Sequence, residues 1–598
     1  MKNGLFVLGG ISLAVLVGCG GGSSSSTGGN DNSLTISGTA ATGAAISGGK
    51  VEYVCASGTG TGTTTSDGTG SYKVTVSGGT LPCLGQVTAS DKSVYHTLIA
   101  ADSSGATTAT ANITPMTELV VASVAGTDTS DYYASFTSMS KDSKTTAVTT
   151  AKVEAAQKDV KATLSDSGIT TLGDTDLLKG TLRPGSSTDT YDKALETLKT
   201  NLATGGSDIK TLSGTVAASS ATSSGASASA GTGAGSTTAS STDTPSLPAS
   251  LLLKPKAATC AAMRSATYRY VGAGSTQKLT VDAEKLTVAT ASGSVFYLKA
   301  VDKDDCHFQS FSNSAMTGAA YGELLVSQAG LGVLRFYDAT TSSYGVAVIF
   351  PEQKGYTVAD AAGTWNSLSM EYYVGNTYTG TLSTTTYGTT GTRTSFTYCR
   401  DDSKWDLTKC KSASGAEAAT NANTLRVNTD DNGFYVTEAG QIKPTGQRFV
   451  YKSGTGDVAV VGFWTDGSFD ISTKQRTLPT PAGSNSYWQL NESATLGADV
   501  VTSGTAAVTS VADATSITTS FVRTNETTGV SPSDKRSETL INNTPSNGFR
   551  FRAAGTDTSV TPNQSYSRVN QLPLKGMGIT VVLNESSKRF QVSVNKPN

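Results

Sequence analysis

The sequence predicts a mainly β, multidomain chain: a small β-sandwich, a short helical segment, a flexible linker and a large C-terminal antiparallel β-sandwich or barrel region. Three observations predict it. Apolar and polar residues alternate in short runs through 33–113 and again from 258 onward, as half-buried strands require. Between these regions apolar residues step by three and four, which is the helical period. A stretch of Ser, Thr, Ala and Gly without any charge covers 211–242, and it offers too little apolar surface to offset the entropy of ordering.

Composition bounds the function. The 598 residues imply about three to five domains. Lys and Arg number 45 against 47 Asp and Glu, so no basic field exists to hold nucleic acid and no acidic block to hold a polycation. Only 15% of the residues are charged, which suits a secreted β-rich surface.

Residues 1–18 open on Met1-Lys2-Asn3, run apolar from Leu5 to Val17 and close on small residues, the pattern of a secretory signal peptide. The apolar part is shorter than the ~20 residues that span a bilayer. Leu16-Val17-Gly18-Cys19 resembles the lipobox of bacterial lipoproteins. The resemblance implies cleavage before Cys19 and lipidation of its thiol, with ~0.8 kcal/mol of membrane affinity per buried CH₂. In enterobacterial lipoproteins an Asp after the cysteine favours the inner membrane; Gly20 stands here, which implies the outer membrane, on its periplasmic or cell-surface face. Residues 19–32 are Cys19 followed by GGGSSSSTGGNDN, a flexible tether of roughly 20 Å reach.

Seven cysteines would leave one thiol over. Assigning Cys19 to lipid leaves Cys55, Cys83, Cys260, Cys306, Cys399 and Cys410 for disulfides in an oxidising compartment. Cys55 and Cys83 are alone in their region and should pair. Cys260 with Cys306 and Cys399 with Cys410 is the simplest remainder, with other pairings of these four open.

Within 33–113, Leu34 and Ile36, Val51 and Tyr53, and Tyr72, Val74 and Val76 mark strands. Thr65-Ser66-Asp67-Gly68-Thr69-Gly70-Ser71-Tyr72 resembles the T-D-x-x-G-x-Y turn of carboxypeptidase-regulatory-like domains, and Gly38 to Val51 resembles that family's opening strand and loop. The resemblance implies a transthyretin-like β-sandwich, a spacer or binding unit by itself. Residues 114–210 should be helical. Thr114-Pro115 is a helix start, with an N-cap hydroxyl and proline at the first position. Val153, Ala156, Val160 and Leu164 mark a helix over 146–165, and Tyr191, Leu195, Leu198 and Leu202 another over 188–203. Residues 211–257 read as a disordered linker of roughly 30 Å reach. Residues 258–357 follow as a β-domain, expected to close as a barrel, and 358–598 as a second β-rich domain. Gly363-Thr364-Trp365 resembles the opening strand of lipocalin-like barrels, and Asp431-Asn432-Gly433 reads as a hairpin turn.

Catalytic signatures are scarce. The chain has two histidines, His96 and His307, in different predicted domains, and no G-x-S-x-G elbow or H-E-x-x-H. Asp304-Asp305, Asp401-Asp402 and Asp430-Asp431 lie at expected hairpin ends, and neighbours on a strand point to opposite faces. Residues 428–433 match the start of an EF-hand loop, but Ala439 stands where the bidentate Glu belongs. No metal or cofactor is expected. All four tryptophans lie beyond 258. Trp365, Tyr372, Tyr373, Tyr378 and Trp405 are candidate ligand-binding aromatics, because such rings stack on sugars or contact protein. The expectation is a non-enzymatic binding or adhesion lipoprotein for an extracellular glycan or protein. The alternatives are a hydrolase with unmarked carboxylates, a structural envelope protein, or a lipocalin-like carrier of an apolar molecule.

Overall fold

The computed structural model describes residues 33–225 and 244–597 apart from positions 60, 102–104, 273, 302–305, 339–342, 355, 374–376, 401–409, 415–422, 429–432, 439, 480–483, 492–500, 512–515, 526–534, 559–562 and 586–588. Cys19, the tether, Trp405, and the turn at 429–432 lie outside the described residues, as do the side chains of Tyr372, Tyr373 and Tyr378.

Residues 34–110 form a β-sandwich. Leu34–Thr39, Ser71–Val76 and Thr108–Thr110 make one sheet; Lys50–Ser57, Gly62–Thr65, Thr80–Thr88 and Val94–Ile99 make the other. Leu34, Ile36, Val51, Tyr53, Val74 and Val76 fill the space between them. The Asp67 turn has a physical cause. Its Oδ1 accepts from Thr69 N at 2.8 Å and Ser71 N at 3.0 Å, which folds the chain back so that Tyr72 enters the core. Tyr72 then pairs with the Tyr53 hydroxyl at 2.6 Å and donates to the Ala111 carbonyl. Cys55 and Cys83 face each other across paired strands and form a disulfide.

A helical layer covers the outer face of the second sheet. Its members are α1 (Pro115–Ala125), α2 (Thr129–Ser138), α3 (Lys141–Ala147), α4 (Thr150–Asp166), α5 (Thr190–Gly205) and α6 (Ile209–Gly225). The Thr114 side chain accepts from Thr117 N at 3.1 Å and Thr117 returns a bond to Thr114 N, while Gly126 ends α1 in the left-handed conformation. Val54, Leu84 and Leu98 of the sheet pack against Met116, Leu119 and Val120 of α1. Lys144 of α3 reaches back to the Cys55 carbonyl at 3.1 Å.

Two corrections follow. Residues 211–225, expected as linker, belong to α6. Its apolar stripe is short, but Leu212, Val216 and Ala217 bury against the other helices, and tertiary packing supplies what Ser- and Thr-rich composition lacks. Past the undescribed 226–243, Leu247, Leu251 and Leu253 are buried as well, so the expected linker is ordered on both sides of that stretch.

The second correction concerns 358–598, which holds two β-units rather than one. Strands from Ala266–Gly272 to Ser343–Pro351 close first into an eight-stranded barrel among the described residues. A nine-stranded antiparallel sheet spans Gly363–Tyr373 to Phe469–Lys474, and a second closed barrel spans Ser484–Asn491 to Arg589–Asn595. Disulfides join Cys260 to Cys306 and Cys399 to Cys410. One apolar core runs through all three units.

The barrels are built with opposite polarity. In the first, Tyr268, Leu279, Leu298, Phe308, Leu324 and Ile349 share the inner face by register and are buried. In the second, Leu583 touches the sheet: a Cβ on Gly380 would lie 2.5 Å from its Cδ1. Register then puts Val581, Val592, Leu490 and Trp488 outside as well, and Gln489, Gln571 and Gln591 inside. Gln489 Nε2 donates to Gln591 Oε1 at 3.0 Å. Trp488 reaches the first barrel, where its ring lies 6.0 Å from that of His307.

Candidate binding face

The nine-stranded sheet has two unlike faces. Leu368, Met370, Leu382, Phe449, Val461 and Ile471 point toward the barrels and join the large core. Alternate residues form the opposite face, and there the composition changes from aliphatic to aromatic and charged.

At one end of this face the short 3₁₀ turn Val358–Ala361 covers Trp365, Tyr387, Phe434, Val436 and Val460. Trp365 is 2% exposed, and its Nε1 donates to the Ala361 carbonyl at 2.8 Å. It therefore serves as the floor of the face, not as the open ligand-contacting ring expected from the sequence. The strand alternation that singled it out cannot tell an open face from one that a turn covers.

The middle of the face is a buried polar network. Asp470 accepts from Ser472 Oγ at 2.7 Å and Trp464 Nε1 at 3.1 Å, and stands 3.5 Å from Arg448 Nη2. Ser472 Oγ pairs with Ser367 Oγ at 2.6 Å. The Arg448 guanidinium lies 5.8 Å from the Tyr387 ring centroid and 6.0 Å from that of Trp464. Gly462 makes room for the Asp470 carboxylate: a Cβ there would fall 2.1 Å from its Oδ1.

Toward the edge strands the face is less covered. Arg393 lies 4.3 Å over the half-buried Phe396 ring. Burial pushes its guanidinium down from the usual arginine range, and neighbouring Arg448 adds to that. Tyr398 donates to Glu371 Oε2, and Thr381 Oγ1 reaches Glu371 Oε1 at 3.3 Å. In the backbone register Tyr372 and Tyr378 stand directly opposite each other, at the alternate positions of Met370 and Gly380 and not at that of Glu371.

Arg393, Phe396, Arg448 and Asp470 escaped the sequence reading. A signal for one of them was present: Arg448 directly precedes the apolar run Phe449-Val450-Tyr451 in strand Gly446–Lys452, and a cation buried beside such a run needs a partner. Its partner Asp470 lies two strands away, which no local pattern reports.

Both buried histidines pair with a carboxylate. His96 Nδ1 stands 2.9 Å from Glu118 Oε2, and the same oxygen accepts from His96 N at 2.6 Å, which ties α1 to the sandwich. His307 Nε2 stands 2.8 Å from Glu323 Oε2 on the outer wall of the first barrel. Among the described residues, no group of three or more His, Cys, Asp and Glu is placed to hold a metal ion, and no helix is long and apolar enough to cross a membrane.

No family model and no curated protein matches the chain. Among solved structures, the isotype 1 transferrin-binding protein B from serogroup B Neisseria meningitidis aligns with 54% of this chain at 9% identity and a TM-score of 0.15. The match spans 65% of that protein's length, less than two thirds. A likeness at that level decides neither fold nor function.

Proposed function

We propose that the chain is a lipoprotein tethered to the outer membrane through Cys19, and that it binds an extracellular glycan or protein without catalysing a reaction. The single observation that carries the binding role is the second face of the nine-stranded sheet. There a cation-backed aromatic patch, Arg393 with Phe396 and Tyr398 with Glu371, continues from a rigid buried network. Rings of this kind give a ligand contact area at small entropic cost, and the polar groups beneath hold them in place. The leader motif and the disulfides of an exported chain support the location.

The anchor is tested by Cys19→Ala, which should leave the protein unprocessed or release it from membrane fractions; a fully processed, membrane-bound variant contradicts the lipid anchor. The binding role is tested with the full chain on a glycan array and in whole-cell adhesion.

A further inference from the structure

We propose that a polar cavity on the connection between α4 and α5 is a second binding site, on the helical layer and not on the sheet, and that it takes one uncharged sugar unit. The connection runs from 167 to 189 without a helix or strand of its own. Irregular connections longer than ~12–15 residues are uncommon inside a compact unit, and those that hold one shape usually carry function. This one is pinned from three sides. Leu172, Leu177, Leu178 and Leu182 are buried in the helical core. From the sandwich, Asn112 N donates to the Leu178 carbonyl at 2.6 Å and Asn112 Nδ2 to the Gly180 carbonyl at 2.7 Å, while Asn112 Oδ1 accepts from Thr39 N at 3.1 Å. From α4, Gln157 Oε1 accepts from Leu177 N at 2.7 Å. From α5, Tyr191 OH donates to the Leu177 carbonyl at 2.5 Å.

The pinned chain borders an open cavity of about 440 Å³, within the range of small-molecule sites. Its lining includes Thr175, Thr181, Arg183, Asp189 and Thr190. Asp189 is engaged by the chain itself. Its Oδ1 accepts from Tyr191 N at 2.9 Å and Asp192 N at 3.0 Å, and its Oδ2 from Arg183 N at 3.1 Å. It thereby caps α5, so the helix end is satisfied and is not the attraction. The other groups are open. Among the described residues, no hydrogen bond or ion pair engages the Arg183 guanidinium or the hydroxyls of Thr175, Thr181 and Thr190. The guanidinium brings five N–H donors, and each hydroxyl both donates and accepts.

The lining selects the ligand's chemistry. No Leu, Ile, Val, Met or aromatic residue lines the cavity, so an apolar molecule has nothing to bury against. Arg183 and Asp189 balance in charge, so neither an anion nor a cation meets an uncompensated field. An uncharged molecule with several hydroxyls in fixed directions matches donors and acceptors of this kind, and a sugar is such a molecule. With no ring to stack on, it binds weakly, so binding is read in solution and not on a washed array.

The test is saturation-transfer NMR on the full chain, with glucose, galactose, mannose and N-acetylglucosamine as probes and glucuronate as the anionic control. At least one neutral sugar should bind, and its affinity should fall about tenfold or more in Arg183→Met/Thr181→Val, because bonds to a charged donor are the stronger ones. Phe396→Ala should bind it as the parent does. The Tm of the double variant should stay at the parent's, since these side chains bond to nothing else in the fold; if it falls, Thr175→Val replaces the double variant with the same expected loss of binding. Binding of no neutral sugar, preference for glucuronate over every neutral sugar, or binding that ignores the substitutions overturns the proposal. Binding that Phe396→Ala abolishes and Arg183→Met/Thr181→Val keeps also overturns it, while supporting the sheet face, so the two readings fail independently.

Discussion

At the residue scale, Arg448 and Asp470 are the most exacting pair in the candidate face. Both are buried, at 8% and 2% exposure, so each charge depends on the other and on Ser472 and Trp464. Asp470→Ala should cost ~3–5 kcal/mol in urea denaturation, because it strands a buried guanidinium. Arg448→Met combined with Asp470→Leu should recover much of that loss, since neither charge then remains; a double variant as unstable as the single one would contradict this account. Asp192, buried in the first turn of α5, makes a pH prediction. Burial pushes its carboxyl up, and Asp189 and Glu196 add to this against the N–H groups of Gly185 and Ser186. The folded chain then keeps that proton to higher pH than the unfolded one, so stability falls as pH rises through the ordinary range of about 4. Asp192→Asn should remove that slope, and the parent's Tm should drop relative to the variant as the pH rises above about 4. Parallel Tm profiles would refute it. Trp365 marks the limit of reading at this scale: alternation placed it on a strand, but its covering turn comes from 3₁₀ residues that carry no ligand signal.

At the element scale, much of the secondary structure is legible because period and burial coincide. Leu34, Ile36, Tyr72, Val74 and Val76 all face the sandwich core, and the stripe Val153, Ala156, Val160, Leu164 is the buried face of α4. Within the expected helical segment 114–210 the separate helices α2 and α3 were not legible, and neither was most of α6, since Ser, Thr and Ala dominate them and their few apolar residues gain meaning only against neighbours. Strand pairing was legible only locally. Whether 358–598 closes once or twice depends on which distant strands meet: Gly363–Tyr373 pairs with Phe469–Lys474, across about a hundred residues of chain. The close approach of Leu583 to Gly380 is one place where the sheet packs on the second barrel. Gly380→Val should force the two apart and lower the Tm measurably, through overpacking of ~1–3 kcal/mol. An unchanged Tm would mean that the two units do not pack there.

At the scale of the whole molecule, the cores divide the chain. The sandwich and helices share apolar contacts through Val54, Leu84 and Leu98, whereas the two barrels and the sheet share a different core. Calorimetry should therefore resolve two transitions, and the larger should span both barrels and the sheet; separate melting of each barrel would contradict the shared core. Beyond these units, the proposed anchor at Cys19 and tether would present this C-terminal assembly to a partner. Its binding role is tested most directly by comparing the full chain with Phe396→Ala on a glycan array and in whole-cell adhesion. The proposed role predicts binding by the parent chain that falls about tenfold or more in the variant, with Tm little changed. A parent chain silent in both assays, or a variant that binds equally well, would contradict it.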